Sequence, residues 1–314
     1  MNGKWRSSTA YYSGAMDRLR PWLDAAKPEL ASIPALAVAV GCACARFDAR
    51  APDGVVPLLI AGIAALAAAI GVNLVDHAWD APAAPPPDPK DPPPESERMV
   101  SAREAGIAAA AALLLAGVLG LLLAPLTGAA PLGYGAAAVG LGLWRRAPAA
   151  GADTLGYGLG ELATIVALGP LAVSAGFASQ AGEGSATALY AGVPVGLAAA
   201  SAAFLRHFTR RDADRVLQRM TPVDALGESH AALCAVAYPL GAAAAILLVR
   251  RAGEYPASSW IAGLPLAVFA LIAGWRLRGG VVDHDLPRLE RLALAGAAAT
   301  LVLLAITLLV GASP

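Results

Sequence analysis

The sequence predicts an all-α integral membrane bundle of nine transmembrane helices. Hydrophobic residues make up 57% of its 314 residues and charged residues only 15%, with a mean hydropathy of +0.60, values outside the range of ordinary soluble domains. Nine mostly apolar runs approach the roughly 20 residues that a helix needs to cross a hydrocarbon core about 30 Å thick. None shows the ten-residue alternation of apolar and polar positions that a membrane barrel requires.

The first run, 30–46, follows a segment containing Asp17, Asp24 and several basic residues without an apolar stretch. No cleavable signal is therefore read there, and the first helix serves as its own insertion signal. The second and third runs, 55–75 and 104–124, are rich in Ala and Gly at 61–71 and 107–120, residues that let helix backbones approach closely where lipid supplies little drive for association. The fourth, 128–144, ends at Arg145 and Arg146; the fifth is 157–178 and the sixth 187–205. The last three are 229–249, 257–275 and 291–311. Cys42, Cys44 and Cys234 fall inside apolar runs without CxxC spacing and read as small packing residues. Residues 1–29 are expected to form a cytoplasmic amino-terminal segment, and 30–314 one nine-helix domain with a proline-rich cytoplasmic loop at 81–100. That loop's composition favours extended backbone and a solvated tether.

The 23 basic and 23 acidic residues give no net charge and hence no pull toward nucleic acid. Their distribution is uneven. With a cytoplasmic amino terminus, nineteen of the 23 Lys and Arg fall on the cytoplasmic side, and Arg46, Arg50, Arg250 and Arg251 on the other. The positive-inside rule then predicts a multi-pass protein of the cell inner (cytoplasmic) membrane with its amino terminus in the cytoplasm. Arg145 and Arg146 read as topology charges by the same rule. Oligomeric state is left open.

Acidic residues at membrane depth are costly and mark function. Two clusters qualify. The first, Asn73 to Asp80, ends the second run, and i, i+4 spacing places Asp76 and Asp80 on one helical face if the helix continues that far. The second, Arg210-Arg211-Asp212-Ala213-Asp214-Arg215, follows the sixth run. Carboxylate pairs at one membrane face suit Mg²⁺, which takes oxygen ligands and is commonly shared between one or two carboxylates and substrate phosphates. Asp76, Asp80, Asp212 and Asp214 are the candidate metal ligands.

The segment from Asn73 to Asp80 resembles the first aspartate-rich motif of the UbiA-type intramembrane prenyltransferases. Asp214-Arg215 with Thr221 and Leu226-Gly227 resembles their second. Gly156-Tyr157-Gly158-Leu159-Gly160-Glu161 followed by Gly169-Pro170 is similar to the start of helix five in the 1,4-dihydroxy-2-naphthoate prenyltransferases of menaquinone synthesis. Trp22 with Lys27-Pro28, and Val100-Ser101-Ala102-Arg103-Glu104, fit the same branch.

The resemblance implies an all-α intramembrane bundle with a cavity open to lipid, where a prenyl diphosphate binds through Mg²⁺ and passes its prenyl group to an aromatic acceptor, a naphthoate or related quinone precursor. It implies catalytic roles for Asp76, Asp80 and Asp214, and substrate binding by Asn73, Arg210, Tyr157 and Glu161. The last two stand one turn apart and would face the acceptor ring. The motifs also depart from the family. Asp76 stands at the Asn position of the first motif and Ala84 at its third, while Arg210 replaces the Asp expected four residues before Asp214. The alternative to an enzyme is a non-catalytic membrane protein of the same fold that binds a prenyl lipid or a partner.

Overall fold

In hydrocarbon an unpaired backbone amide has no water to turn to, so apolar runs of this length must close their hydrogen bonds within helices. The protein is described by a computed structural model covering residues 19–48, 54–80, 100–147, 158–216, 219–278 and 285–312. Among them there is no strand.

Each of the nine expected runs corresponds to a helical element. We label these α1 (Pro28–Phe47), α2 (Val55–Asp80), α3 (Ala102–Thr127), α4 (Ala130–Arg146), α5 (Leu159–Ala181), α6 (Ala186–Thr209), α7 (Glu228–Arg251), α8 (Ala257–Leu277) and α9 (Leu286–Gly311). Eight have 20 to 26 residues and enough hydropathy to span a bilayer. The remaining one, α4, has 17 residues and ends on Arg145 and Arg146. This is a multi-pass membrane bundle. Residues 81–99, most of the proline-rich loop, and Tyr157 lie outside the described residues.

Local chemistry sets several helix ends. Ser101 and Glu104 form a capping box at the start of α3, each side chain accepting the other's backbone N–H at 3.3 and 3.0 Å, which satisfies two of the donors a helix start leaves open. Gly158, at φ 76, supplies the left-handed turn before α5. Helix α5 is not uniform. Pro170 lacks an N–H and crowds the preceding turn, and the chain answers with a π-helical segment over Ala167–Leu171.

The helices do not share burial equally. In the most apolar stretch of α6, 72% of residues are buried, against 11% for α3. Helix α6 is therefore central, and α3 turns Leu114, Leu121, Leu122 and Leu126 outward, as a lipid-facing helix should. The core is built where α1 packs on α2, the second half of α5 and α9, and where α6 packs on α5, α7 and α9. Small residues make this possible. A Cβ on Gly41 would run into the Val173 carbonyl, and one on Gly176 into that of Val38, so the α1–α5 crossing requires glycine on both sides.

Consecutive helices run in alternating directions across such a bundle. The amino ends of α1, α3 and α5 therefore meet the carboxyl ends of α2, α4 and α6. Both acidic clusters lie at that end.

Candidate active site

Helices α1 to α6 surround a cavity of about 430 Å³, within the size range of small-molecule sites. Most of its wall is apolar and small, with Ile33, Val38, Ala61, Leu113, Leu123 and Val139 among the lining residues. Its other end is charged. There the wall includes Lys27, Arg145, Arg146, Arg206 and Arg210, facing Asp76 and Asp214.

Asp76 is the focus of this end. Helix α2 does continue past Val75, so Asp76 and Asp80 share a face one turn apart. Asp76 is buried, with Lys27 Nζ 3.4 Å from Oδ2 and Arg146 Nε 3.6 Å from Oδ1. Arg210 and Arg219 each place an Nη1 3.9 Å away. Asp80 receives a hydrogen bond from Arg210 Nη2 at 2.8 Å, and Arg219 Nη1 lies 2.9 Å from its Oδ1. Asn73 lines the cavity and ties α2 to the preceding segment by donating to the Ala26 carbonyl at 2.9 Å.

Lys27 reaches Asp76 because of its backbone. It is the one non-glycine residue with positive φ among the described residues, at 48°, in a region that costs an L residue energy. That turn joins the short helical stretch at 19–26 to α1. Burial pushes the Lys27 ammonium down to about 8 despite the pull of Asp76, with Arg206, Arg210 and Arg146 adding repulsion.

The second cluster follows a break. After α6 the chain enters a short helix, Arg211–Val216, on which Asp214 is buried and lines the cavity while Asp212 is exposed and does not. Burial pushes the Asp214 carboxyl up, against the opposing pull of Arg210, Arg146, His207 and Arg219. A further short helix, Pro222–Leu226, is capped by Thr221, whose oxygen accepts from Asp224 N–H. Asp224 pairs with Arg215 at 3.1 Å and Arg211 at 3.5 Å, and Arg211 also pairs with Glu228. These contacts hold the segment carrying Asp214 and Arg219 against the bundle.

Glu161 is buried near the start of α5 and meets His207 of α6, with 2.7 Å between Oε1 and Nε2. His207 lines the cavity; Glu161 stands behind it. Next to Glu161's turn, Thr164 Oγ1 donates to the Gly160 carbonyl and accepts from Arg145 Nη1 at 2.8 Å.

Asp76, Asp80, Asp214, Asn73, Arg210 and Glu161 thus converge, and Asp212 stands apart. Arg145 and Arg146, read from the sequence as topology charges, also line the cavity and contact Thr164 and Asp76. His207, Arg219 and Lys27 were not foreseen as site residues. The signal for His207 was a histidine two residues past the end of an apolar run and three residues before Arg210.

The donor set suits a hard cation shared with a phosphate ligand. Asp76 Oδ1 and Asp214 Oδ1 are buried and make no hydrogen bond, leaving carboxylate oxygens available to a cation that needs oxygen ligands. Among the described residues no group of three or more His, Cys, Asp and Glu is poised as an all-protein metal cage.

Comparison by backbone places the fold among known proteins. The chain is similar to a structure of digeranylgeranylglyceryl phosphate synthase in membranes, with TM-score 0.60 over 94% of this chain and 99% of that one at 11% identity. It is also similar to a UbiA homologue from Archaeoglobus fulgidus bound to GPP and Mg²⁺, with TM-score 0.59, 12% identity and 90% and 99% coverage. The fold is that of the UbiA homologues. A third, the apo UbiA homologue from Aeropyrum pernix K1, gives TM-score 0.59 at 19% identity over 89% of this chain and 97% of that one. No protein-family model and no curated protein matches the sequence.

Proposed function

We propose that this UbiA-like protein transfers a prenyl group from an allylic prenyl diphosphate to an aromatic acceptor, a naphthoate or related quinone precursor, with Mg²⁺ as cofactor. One observation carries the reading. An apolar cavity ends in five cationic side chains and two buried carboxylates, which is the polarity of a molecule with a hydrocarbon tail and a diphosphate head.

The residues divide by role. Lys27, Arg146 and Arg210 hold diphosphate oxygens by charge-assisted hydrogen bonds, with Arg210 suited to a bidentate grip. Arg219 holds Asp80 in place. Asp76, Asp80 and Asp214 hold Mg²⁺ that the diphosphate also binds, and Mg²⁺ when bound neutralises charge on the leaving group. Fixed cations stabilise the developing diphosphate charge more in the transition state than in the ground state, which is what lowers the barrier. The wall of Ala, Leu and Val houses the tail and keeps water from the allylic cation. The charged end faces the cytoplasm, with the amino terminus on that side; a reporter fused after Pro314 reads periplasmic, and a cytoplasmic signal there contradicts this orientation.

The test uses purified protein in detergent with Mg²⁺, a series of allylic diphosphates and a panel of aromatic acceptors, followed by mass spectrometry. A prenylated product is the expected result. Diphosphate binding without product for any pair supports instead a non-catalytic protein of the same fold, a reading favoured by the two guanidinium groups already seated on Asp80.

A further inference from the structure

Transfer of a prenyl group to an aromatic ring replaces a hydrogen, so each turnover releases a proton that the site must accept. Asp76 and Asp80 are surrounded by cations, and Asp214 serves the metal in the reading above. A different group is built for the proton.

His207 lines the cavity wall on α6, with its Nε2 engaged by Glu161 Oε1 at 2.7 Å. Both side chains are almost fully buried, at 8% and 6% exposure. Phe204 meets the imidazole edge-on, ring centroids 5.7 Å apart at 75°, and is itself packed on Tyr238 at 5.3 Å. The ring is thus clamped by an aromatic neighbour and fixed by a carboxylate on one nitrogen, and the residue itself contributes to the wall. A carboxylate behind a histidine sets its tautomer and stabilises the imidazolium that forms when the ring takes a proton. Thr164, one turn from Glu161, and Arg145 at the end of α4, both on the cavity wall, place a hydroxyl and a cation near this pair.

We infer that His207 is the catalytic base taking the hydroxyl proton of a hydroxyarene acceptor, and that Glu161 is a positioning residue acting through His207. This rests on the prenyl transfer proposed above. The O–H bond breaks with its proton going to His207. The resulting aryloxide sends an electron pair from a ring carbon to the allylic carbon, as the C–O bond to diphosphate breaks with its own pair. The prenylated ring carbon then gives up its hydrogen as a proton through solvent to the ring oxygen, which restores both aromaticity and the hydroxyl. His207 passes its proton to the departing diphosphate. The net products are one prenylated hydroxyarene and one diphosphate that carries the released proton.

The experiment compares wild type, His207→Gln and Glu161→Gln in detergent with geranyl diphosphate, Mg²⁺ and a series of hydroxynaphthalenes whose hydroxyl acidity ranges from far weaker to far stronger than the assay pH requires for ionisation. Binding of an unreactive geranyl thiodiphosphate is measured alongside. For weakly acidic acceptors His207→Gln loses about 100-fold or more in kcat, the usual contribution of a positioned base, with donor affinity unchanged. The loss shrinks toward none for acceptors that arrive already ionised. Glu161→Gln shows the same slope at about 10-fold amplitude, and it carries the test should His207→Gln lose donor binding. A merely structural pair gives a loss independent of acceptor acidity or a parallel loss of donor binding, and either overturns the assignment. So does wild-type-like turnover in His207→Gln, which leaves the transferase reading intact. Wild type that binds the donor and prenylates nothing overturns both readings together.

Discussion

The two acidic clusters reach the same end of the cavity by different routes, and their surroundings differ accordingly. Asp76 and Asp80 ride on the last turns of a continuous 26-residue helix, and cations from the turn before α1, the end of α4 and the segment after α6 gather on them. Asp214 sits on a six-residue helix that follows the end of α6, buried with Oδ1 making no hydrogen bond, and Asp212 beside it is exposed. The first cluster contributes to folding as well as to any ligand. Both clusters keep a buried oxygen without a hydrogen bond, but burial pushes the Asp214 carboxyl up despite the arginines near it, so holding it there costs stability, a pattern expected where function sets the residue.

The sharpest break in that comparison is Asp76→Asn. Removing this carboxylate takes a shared counter-charge from Lys27, Arg146, Arg210 and Arg219, of which the last two still pair with Asp80, and loss of one partner in a buried ion pair costs about 3–5 kcal/mol. Unfolding of the purified variant in detergent should show that loss, and added pyrophosphate should recover part of it. A variant as stable as wild type contradicts the role given to Asp76.

Asp214→Asn should do the opposite. Stability stays near that of wild type or rises slightly, while Mg²⁺-dependent turnover falls about 100-fold, equivalent to about 2.7 kcal/mol. Asp212→Asn should leave both quantities unchanged. Equal effects of the two substitutions on turnover would erase the distinction between the buried and exposed members of the cluster.

Arg210 links the clusters, since it pairs with Asp80 at 2.8 Å and sits four residues before Asp214. Arg210→Lys keeps the charge but loses the planar fork, and should weaken diphosphate binding about 10-fold, or about 1.4 kcal/mol. Arg210→Asp should raise the dependence of binding on Mg²⁺ by adding a carboxylate beside Asp214. Titration of Mg²⁺ against donor binding in the three proteins reads both effects.

The smallest effect concerns the anchor of the second cluster. Burial alone would raise the Asp224 carboxyl, but hydrogen bonds from Thr221, Arg215 and Arg211 hold it below the usual carboxylate range. Its contribution to stability is therefore present above that range and lost as pH falls through the depressed value. Asp224 is only half-buried and its partner Arg215 is exposed, so Asp224→Asn should cost only about 0.3–1 kcal/mol at neutral pH. The difference from wild type should vanish in acid, and a difference that persists at the lowest pH contradicts the ion-pair account.

Much of this was legible in the sequence because membrane insertion leaves few alternatives. Runs such as 55–75 have one way to satisfy their backbones, and the clustering of Lys and Arg between every second pair of runs showed which helix ends meet. The spacing of Asp76 and Asp80 gave their shared face once α2 was long enough. What stayed hidden depended on which side chains cross between helices. Arg145 and Arg146 sit where topology charges sit, and only the approach of α4 to α2 and α5 reveals contacts to Asp76 and Thr164. Glu161 and His207 are 46 residues apart, and nothing local marks them as partners. Lys27 was legible as part of the Lys27-Pro28 pair but not as a partner of Asp76, because its left-handed backbone has no sequence signature.

The most direct measurement is equilibrium binding of geranyl thiodiphosphate to the wild-type protein in detergent, with and without Mg²⁺, set against geraniol. The account predicts that the diphosphate binds at least about 10-fold more tightly than the alcohol, a difference of about 1.4 kcal/mol, and that Mg²⁺ strengthens only the diphosphate. Equal affinity for the two ligands, unaffected by Mg²⁺, would contradict the assignment of the charged end of the cavity as a diphosphate site.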